Sequence, residues 1–253
     1  MKRVSLALVL LLSSTAYAQD RNTDADVQAD VQKSLDSKRF SDVRAVVKNG
    51  MVSLSGTVDV YATKEDAEHK NHHKKGVTAV HNMIEVRPGG SAAEVSDMEL
   101  RSRLAEKLTY DRVGYGTTAF NSFTIGVQNG VVTLGGVAYG PVDKDSAVSV
   151  VAHYPGVKDV VDDIEVAPVS PNDDRIRVET ARAVYGFPSL QRYSIDPAKP
   201  IRITVLNGNI TLTGVVDREA DKDAAGIRAR GVSGAFRVTN NLQVAGSSRS
   251  DSR

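Results

Sequence analysis

An Asn-Gly pair flanked by alternating apolar and polar residues occurs three times in this chain at nearly even spacing. A tight type I′ turn needs positive φ at both central residues, and Asn-Gly adopts this conformation at the least cost. Each copy therefore predicts a β-hairpin. The copies read VKNGMVSLSGTV at 47–58, VQNGVVTLGGV at 127–137 and VLNGNITLTGVV at 205–216, with turn residues Asn49, Gly50, Asn129, Gly130, Asn207 and Gly208.

The residues downstream of the three hairpins stay in register. Each Asn is followed by a glycine after seven residues, a lysine after fifteen and a second glycine after twenty-seven. The first glycine of each set falls at a strand end, which indicates a bend or a close approach of two backbones. The chain thus contains three copies of one unit, with periods of 80 and 78 residues. Such periods exceed the roughly 20–50 residues of solenoid repeats, so each copy is expected to be a small domain.

Each unit also begins with a helical pattern. The clearest lies at 97–108, where Asp97 is the expected N-cap and Leu100, Leu104 and Leu108 recur on one face. A second helix surrounds the aligned lysine, and a final strand closes the unit. The element order predicts an α+β fold of three tandem αββαβ modules, each a three-stranded mixed sheet covered by two helices.

Pro- and Gly-rich segments at 87–93 and 167–173 separate the units. The predicted modules span residues 23–88, 95–168 and 172–245, followed by a disordered tail at 246–253.

The N-terminus indicates export. Lys2 and Arg3 precede a short apolar run, and Ala16-Tyr17-Ala18 forms a cleavage site, so residues 1–18 are a predicted signal peptide. The apolar run falls short of the ~20 residues of a spanning helix, and no later segment predicts a transmembrane helix. The chain has no cysteine, which excludes a disulfide and a lipid anchor at a cysteine after cleavage. We expect a periplasmic location.

The modules differ in charge although they share a pattern. Residues 19–90 carry 11 basic and 11 acidic side chains, residues 92–168 carry 6 and 11, and residues 173–244 carry 11 and 8. The second module is therefore acidic, at −5, and the third basic, at +3. This asymmetry suggests divided tasks.

The search for reactive residues predicts no enzyme and no cofactor. The serines lack a nucleophile elbow, and the Gly-rich pairs lack a P-loop lysine. His69, His72 and His73 lie close in sequence, but the lack of an H-E-x-x-H motif and of Cys favours a solvated basic helix end over a metal site. With no Trp and few aromatics, the chain is not expected to bind nucleic acid.

Two long connections between the first helix and the hairpin, at 109–125 and 185–203, contain several aromatic residues. Gly-rich aromatic loops often carry binding sites. Capping of the open end of a small core is the alternative interpretation.

The repeated unit resembles the BON domain (bacterial OsmY and nodulation domain). The resemblance is carried by the N-G-x-hydrophobic-[ST]-L-x-G core and by a downstream G-V-x-x-V-x-[ND]-x-hydrophobic-x-V pattern, as in PGVKDVVDDIEV at 155–166. Repeat 3 departs from it at SGAFRVTNNLQV (233–244), where Ala235 replaces the usual Val. The resemblance covers nearly all of the chain beyond the signal peptide.

This resemblance implies a non-enzymatic envelope protein. Family members are associated with osmotic stress and envelope integrity, and some bind anionic phospholipids. We therefore expect binding to anionic phospholipid or membrane surfaces. The alternative is a chaperone that holds unfolded or outer-membrane proteins, and a structural tether is a third hypothesis.

The candidate contact lies on the first helix of repeat 3, at 174–187. Arg175, Glu179 and Arg182 form a narrow polar stripe. Apolar residues cover most of the remaining circumference, which is broken mainly by Arg177 and Thr180. This apolar width has no obvious use in the module's own core, and arginines beside it suit a phosphate-rich interface. The predicted contact residues are Arg175, Arg182, Tyr185 and Phe187. Packing of this face on repeat 2 is the alternative.

Overall fold

A computed structural model of the chain describes residues 23–87, 95–197 and 200–246. The predicted signal peptide, most of the first linker and the tail beyond residue 246 lie outside the described residues. Repeat 1 comprises α1 (Asp24–Ser34), β1 (Val43–Lys48), β2 (Met51–Val58), α2 (Tyr61–His72) and β3 (Ala79–Val86). Repeat 2 comprises α3 (Asp97–Tyr110), β4 (Ser122–Gln128), β5 (Val131–Ala138), α4 (Pro141–Ala152) and β6 (Asp159–Val166).

Repeat 3 has the same order with two differences. It comprises α5 (Pro171–Tyr185), α6 (Arg192–Ile195), β7 (Arg202–Leu206), β8 (Asn209–Thr213), β9 (Val215–Val216), α7 (Glu219–Arg230), β10 (Arg237–Asn240) and β11 (Gln243–Val244). The short helix α6 occupies the long connection before the hairpin. The central and closing strands are each divided in two, at Gly214 and at residues 241–242.

The sheets confirm the predicted α+β architecture. In repeat 1 the hairpin pairs β1 antiparallel to β2, and β3 returns parallel to β2. Repeat 2 repeats this topology with β4, β5 and β6. In repeat 3, β8 lies between antiparallel β7 and parallel β10, and β9 pairs with β11.

The hairpin turns have the backbone that the Asn-Gly pairs predicted. The φ angles are 52° and 75° at Asn49-Gly50, 53° and 79° at Asn129-Gly130, and 51° and 76° at Asn207-Gly208. Positive φ at both central residues is the signature of a type I′ turn.

The glycine seven residues beyond each turn permits a backbone contact. A Cβ added at Gly136 would lie 2.0 Å from the carbonyl oxygen of Ser122, and the corresponding distance from Gly56 to the oxygen of Asp42 is 1.9 Å. Both glycines also have positive φ. The close approach inferred from sequence is therefore present where the first strand of each hairpin begins.

Each repeat has its own apolar core between the sheet and the two helices. Repeat 2 buries the leucine seam of α3 (Leu100, Leu104 and Leu108) against Val132 and Leu134 of β5. The N-caps of the first helices differ from the expected aspartates, because Thr23, Ser96 and Ser170 fill this position. Hydroxyl groups accept from free amides of the first turn, which leaves the neighbouring aspartates for another role.

Candidate functional site

An aspartate in the first turn of each leading helix holds the hairpin turn of the same repeat. Asp97 Oδ2 accepts from Asn129 N at 2.6 Å, and its Oδ1 accepts from Gly130 N at 2.9 Å. Asp24 and Asp173 make the same paired contacts in repeats 1 and 3. The carboxylate therefore fixes the turn relative to the helix, and the two define one end of every module.

The two predicted arginine contacts of α5 lie at the surface. Arg175 and Arg182 are both exposed. Arg175 donates from Nη1 to Glu179 Oε2 at 2.9 Å and to the carbonyl oxygen of Ser233 at 3.3 Å. Arg175 is thus held against the loop that leads into β10, whereas Arg182 lies one turn before the end of α5.

The two predicted aromatic contacts pack instead on their own module. Tyr185 and Phe187 are partly buried against the core of repeat 3, as are Ala181 and Ala183. The Tyr185 hydroxyl donates to the carbonyl oxygen of Ile201, and burial raises the pKa of this phenol well above its ordinary value. The expectation that the apolar width of α5 has no use in its own core was therefore wrong. Leu190, Tyr193 and Ile201, which follow α5 in the chain, belong to the same core.

Another part of α5 faces repeat 2. Arg177, only 3% exposed, donates from Nη2 to the carbonyl oxygen of Val205 at 3.0 Å. Its guanidinium carbon also lies 4.8 Å from the ring centroid of Tyr139 and 6.0 Å from that of Phe120. Both rings belong to repeat 2, so a cation–π contact joins the modules. Packing on repeat 2, the alternative considered from sequence, describes this side of the helix.

Further contacts connect repeats 2 and 3. Arg202 donates from Nη1 to the carbonyl oxygens of Thr118 and Asn121 at 2.8 and 3.0 Å. The Ser122 and Thr213 hydroxyl oxygens are 2.9 Å apart, and Phe120 packs against the core of repeat 3. These modules share a tight boundary despite their separating linker.

The long connections are anchored by a buried aspartate at the start of the second helix. Asp143 accepts from Thr117 Oγ1 at 2.7 Å, from Arg112 Nε at 3.0 Å and from Asn121 Nδ2 at 3.1 Å. Asp221, the equivalent residue in repeat 3, accepts from the Tyr193 hydroxyl at 2.9 Å. Repeat 1 has Thr63 here and a short connection. This arrangement agrees with the capping interpretation at the base of each connection.

The tip of the repeat 2 connection is nevertheless open. Tyr110 and Tyr115 are exposed, and Arg112 lies 4.4 Å from the ring centroid of Tyr115. At Gly114 and Gly116, in this connection, no heavy atom lies within 4 Å of the position of an added Cβ.

His69, His72 and His73 line a groove of about 790 Å³ that extends to Asp159 of repeat 2. The ring centroids of His69 and His73 are 5.6 Å apart, and those of His72 and His73 are 5.0 Å apart. Within residues 23–87, 95–197 and 200–246, no group of three or more potential ligands is arranged to hold a metal ion.

The sequence analysis missed one exposed aromatic residue. Phe236 directly follows the Ala235 noted as a departure in repeat 3, and it is 82% exposed. Its counterparts are Thr78 in repeat 1 and Lys158 in repeat 2. A position-by-position comparison of the repeats would have identified it, because only repeat 3 has a large apolar residue there.

None of the helices in the described ranges is long and apolar enough to cross a membrane. Among solved structures, the chain is similar to the C-terminal domain of CdsD, a structural protein of the type III secretion system of Chlamydia trachomatis. The identity is 15%, the TM-score is 0.25, and the match covers 88% of this chain and 99% of that one. A second CdsD structure matches with 14% identity, a TM-score of 0.24 and coverage of 87% and 92%. At these TM-scores the likeness supports no conclusion.

No curated protein matches the chain significantly. The sequence profile of the BON domain, in contrast, matches three segments, at residues 19–88, 96–168 and 189–246. The third match begins after α5, although α5 packs on the same core as the hairpin that follows it. Because these matches cover most of its length and coincide with the three sheets, the chain belongs to the BON-domain family and contains three BON repeats.

Proposed function

We propose that this chain is a non-enzymatic, exported envelope protein that binds anionic phospholipid surfaces and thereby supports envelope integrity under osmotic stress. The observation that carries the proposal is the basic surface of repeat 3. Exposed arginines lie on α5, on α7 and at the start of β10, and they include Arg175, Arg182, Arg228, Arg230 and Arg237, whereas the exposed Arg192 and Arg218 pair with Asp221. Each basic group close to an anionic membrane contributes about 1 kcal/mol of binding free energy.

The membership of the chain in the BON family supports this proposal, because a phospholipid-binding envelope role is consistent with the family. The predicted signal peptide adds support for export to the periplasm. Repeat 2, which carries the opposite charge, packs against repeat 3 and is expected to be repelled by the same membrane. The contact is therefore restricted to surfaces of repeat 3 that point away from repeat 2.

Cosedimentation of residues 19–253 with vesicles tests the proposal. We expect binding to vesicles that contain phosphatidylglycerol and little binding to phosphatidylcholine alone, with a steep loss of binding as salt screens the arginines. The charge reversal Arg175→Glu/Arg182→Glu should weaken binding. An absence of wild-type binding to anionic vesicles at low salt would reject the proposed function.

A further inference from the structure

We propose that repeat 3 enters the anionic membrane surface with the tip that Phe236 and Arg237 form beside the Asn207-Gly208 turn. This inference rests on the proposed function and assigns the point of contact to the end of the module. The aromatic residues of α5 do not form this contact, because they pack on the core of repeat 3.

The Phe236 ring is displayed on a rigid support. Phe236 N donates to the carbonyl oxygen of Gly208 at 2.9 Å. The ring covers the turn so closely that a Cβ added at Gly208 would lie 2.4 Å from Phe236 Cδ2. Asp173 holds this turn, because its carboxylate accepts hydrogen bonds from the Asn207 and Gly208 amides at 2.8 Å each. An exposed aromatic ring that is fixed in place loses little conformational entropy when it binds.

Two basic residues lie at the same end of the module as this ring. Arg237 follows Phe236 directly and is exposed at the start of β10. Arg175 is tethered to the carbonyl oxygen of Ser233, and its Nη2 lies 2.6 Å from the position of a Cβ added at Gly234. Glu179 offsets part of the Arg175 charge, but this ion pair is solvent-exposed and therefore weak enough for a lipid phosphate to compete with it.

A comparison of the three repeats shows that this combination belongs to repeat 3 alone. The two tip residues are Thr78-Ala79 in repeat 1, Lys158-Asp159 in repeat 2 and Phe236-Arg237 in repeat 3. The first residue of each pair is exposed in all three modules. The fold therefore accepts Thr or Lys at this position, and an 82% exposed Phe contributes little to the core.

An exposed aromatic ring at a module end that also carries exposed arginines matches the chemistry of an anionic bilayer surface. The ring enters the boundary between headgroups and acyl chains, while guanidinium groups remain among the phosphates. A soluble phosphate ligand would match the arginines but would leave the ring in water. This difference selects a membrane surface as the occupant.

The affinity test uses residues 19–253 and vesicles of phosphatidylcholine with or without phosphatidylglycerol. Replacement with the repeat 1 residue, Phe236→Thr, should weaken binding to the anionic vesicles about tenfold, since the apolar burial is lost. Arg237→Ala should weaken it about fivefold. Tyr115→Thr, which removes an aromatic residue that is 71% exposed on acidic repeat 2, is the matched control and should bind like the wild type.

A spectroscopic test uses the absence of Trp from the chain. Phe236→Trp places a single reporter at the tip, and its emission should shift to shorter wavelength with anionic vesicles and be quenched by brominated acyl chains. Tyr115→Trp should show neither effect. Inorganic phosphate and glycerol phosphate, used as soluble probes, should produce no shift.

The outcomes separate this inference from the proposed function. If Phe236→Thr binds anionic vesicles as tightly as the wild type and the emission of Phe236→Trp does not shift, the tip is not the point of contact. The proposed function would then still hold. Competition by the soluble probes at concentrations equal to those of the lipid would show a phosphate site and overturn membrane entry. A third assay measures how well the protein suppresses the aggregation of an unfolded client protein. If Phe236→Thr impairs this activity and leaves vesicle binding unchanged, the tip contacts proteins and the inference is wrong. If the wild-type protein does not bind anionic vesicles, the proposed function itself is rejected.

Discussion

The carboxylate of Asp97 accepts a hydrogen bond from the amide of Gly130, 33 residues later, at 2.9 Å. Its other oxygen accepts from the adjacent amide of Asn129. A type I′ turn exposes these amides, and the first turn of α3 presents a carboxylate to both. The same arrangement occurs in all three repeats, so the aspartate is a structural determinant of the BON module in this chain. Substitution of the aspartate tests this role.

Asp97→Ala should destabilise repeat 2 by about 1–2 kcal/mol, because two charge-assisted hydrogen bonds of a partly buried carboxylate are lost. Hydrogen exchange at the Asn129 and Gly130 amides measures the local effect and should accelerate. Glu99→Ala is the control, since Glu99 lies in the same helical turn but pairs only with exposed Arg103. Unchanged exchange in Asp97→Ala would contradict a role for the carboxylate in holding the turn.

Two glycines of the repeat 2 sheet should respond in opposite directions to alanine. At Gly136 φ is 95° and an added Cβ would lie 2.0 Å from the Ser122 carbonyl oxygen, so Gly136→Ala should cost at least ~2 kcal/mol. At Gly126 the nearest atom to an added Cβ is 3.9 Å away, and Gly126→Ala should be neutral or stabilising by up to about 1 kcal/mol. Urea denaturation of both variants measures the difference. Equal effects would show that the close approach at Gly136 is not constraining.

A residue of repeat 2 should stabilise repeat 3. Phe120 packs on the core of repeat 3, and Phe120→Ala should destabilise that module by about 1–2 kcal/mol through lost apolar burial. Hydrogen exchange followed by mass spectrometry should show faster exchange in peptides from β7 and β8. Repeat 1 peptides provide the internal reference. Unchanged protection of β7 would contradict a contribution of Phe120 to the stability of repeat 3.

Asp221 should make repeat 3 sensitive to acid. Burial alone would raise the pKa of this carboxyl, but hydrogen bonds from Arg218 and Tyr193 and the nearby arginine charges outweigh burial and lower the pKa below 3.8. A carboxylate with a lowered folded-state pKa contributes stability that is present above pH 3.8 and is lost as the pH falls through the folded-state value. Asp221→Asn should therefore be less stable than the wild type at pH 7 and should lose less stability on acidification.

Thermal unfolding at pH 7 and near pH 3 measures this dependence on pH. Asp223→Asn makes the same charge change at an exposed position of α7 and should unfold at nearly the wild-type temperature at pH 7. A wild-type acid response in Asp221→Asn would show that other groups control the acid lability of repeat 3.

The local and repeated features of the fold could be predicted from the sequence. Positive φ at an Asn-Gly pair is a property of the dipeptide, and the alternation of apolar residues on either side follows from the geometry of a strand. The same pattern occurs in three copies, and each copy predicts the same order of helices and strands. The element order and the mixed sheets were therefore predicted correctly. Gly136 could be placed at a backbone approach because only glycine tolerates such a position.

The role of each polar residue was decided by the tertiary structure. Asp97 was expected to cap its own helix, but Ser96 supplies the cap and frees the carboxylate to reach a turn that lies far along the chain. Helical periodicity gave α5 a broad apolar face, yet it could not show that Leu190, Tyr193 and Ile201 join Tyr185 and Phe187 in one core.

The exposed features were decided in the same way. Arg177 interrupts the apolar face of α5 in sequence. Repeat 2 packs on this side of α5, so the buried Arg177 guanidinium contacts the Tyr139 ring. Phe236 is an ordinary strand residue by propensity, and only the tertiary structure shows that its ring lies over the Asn207-Gly208 turn and that the residue is 82% exposed. Sequence patterns report interactions between near neighbours in the chain, whereas burial and charge pairing depend on which distant segments meet.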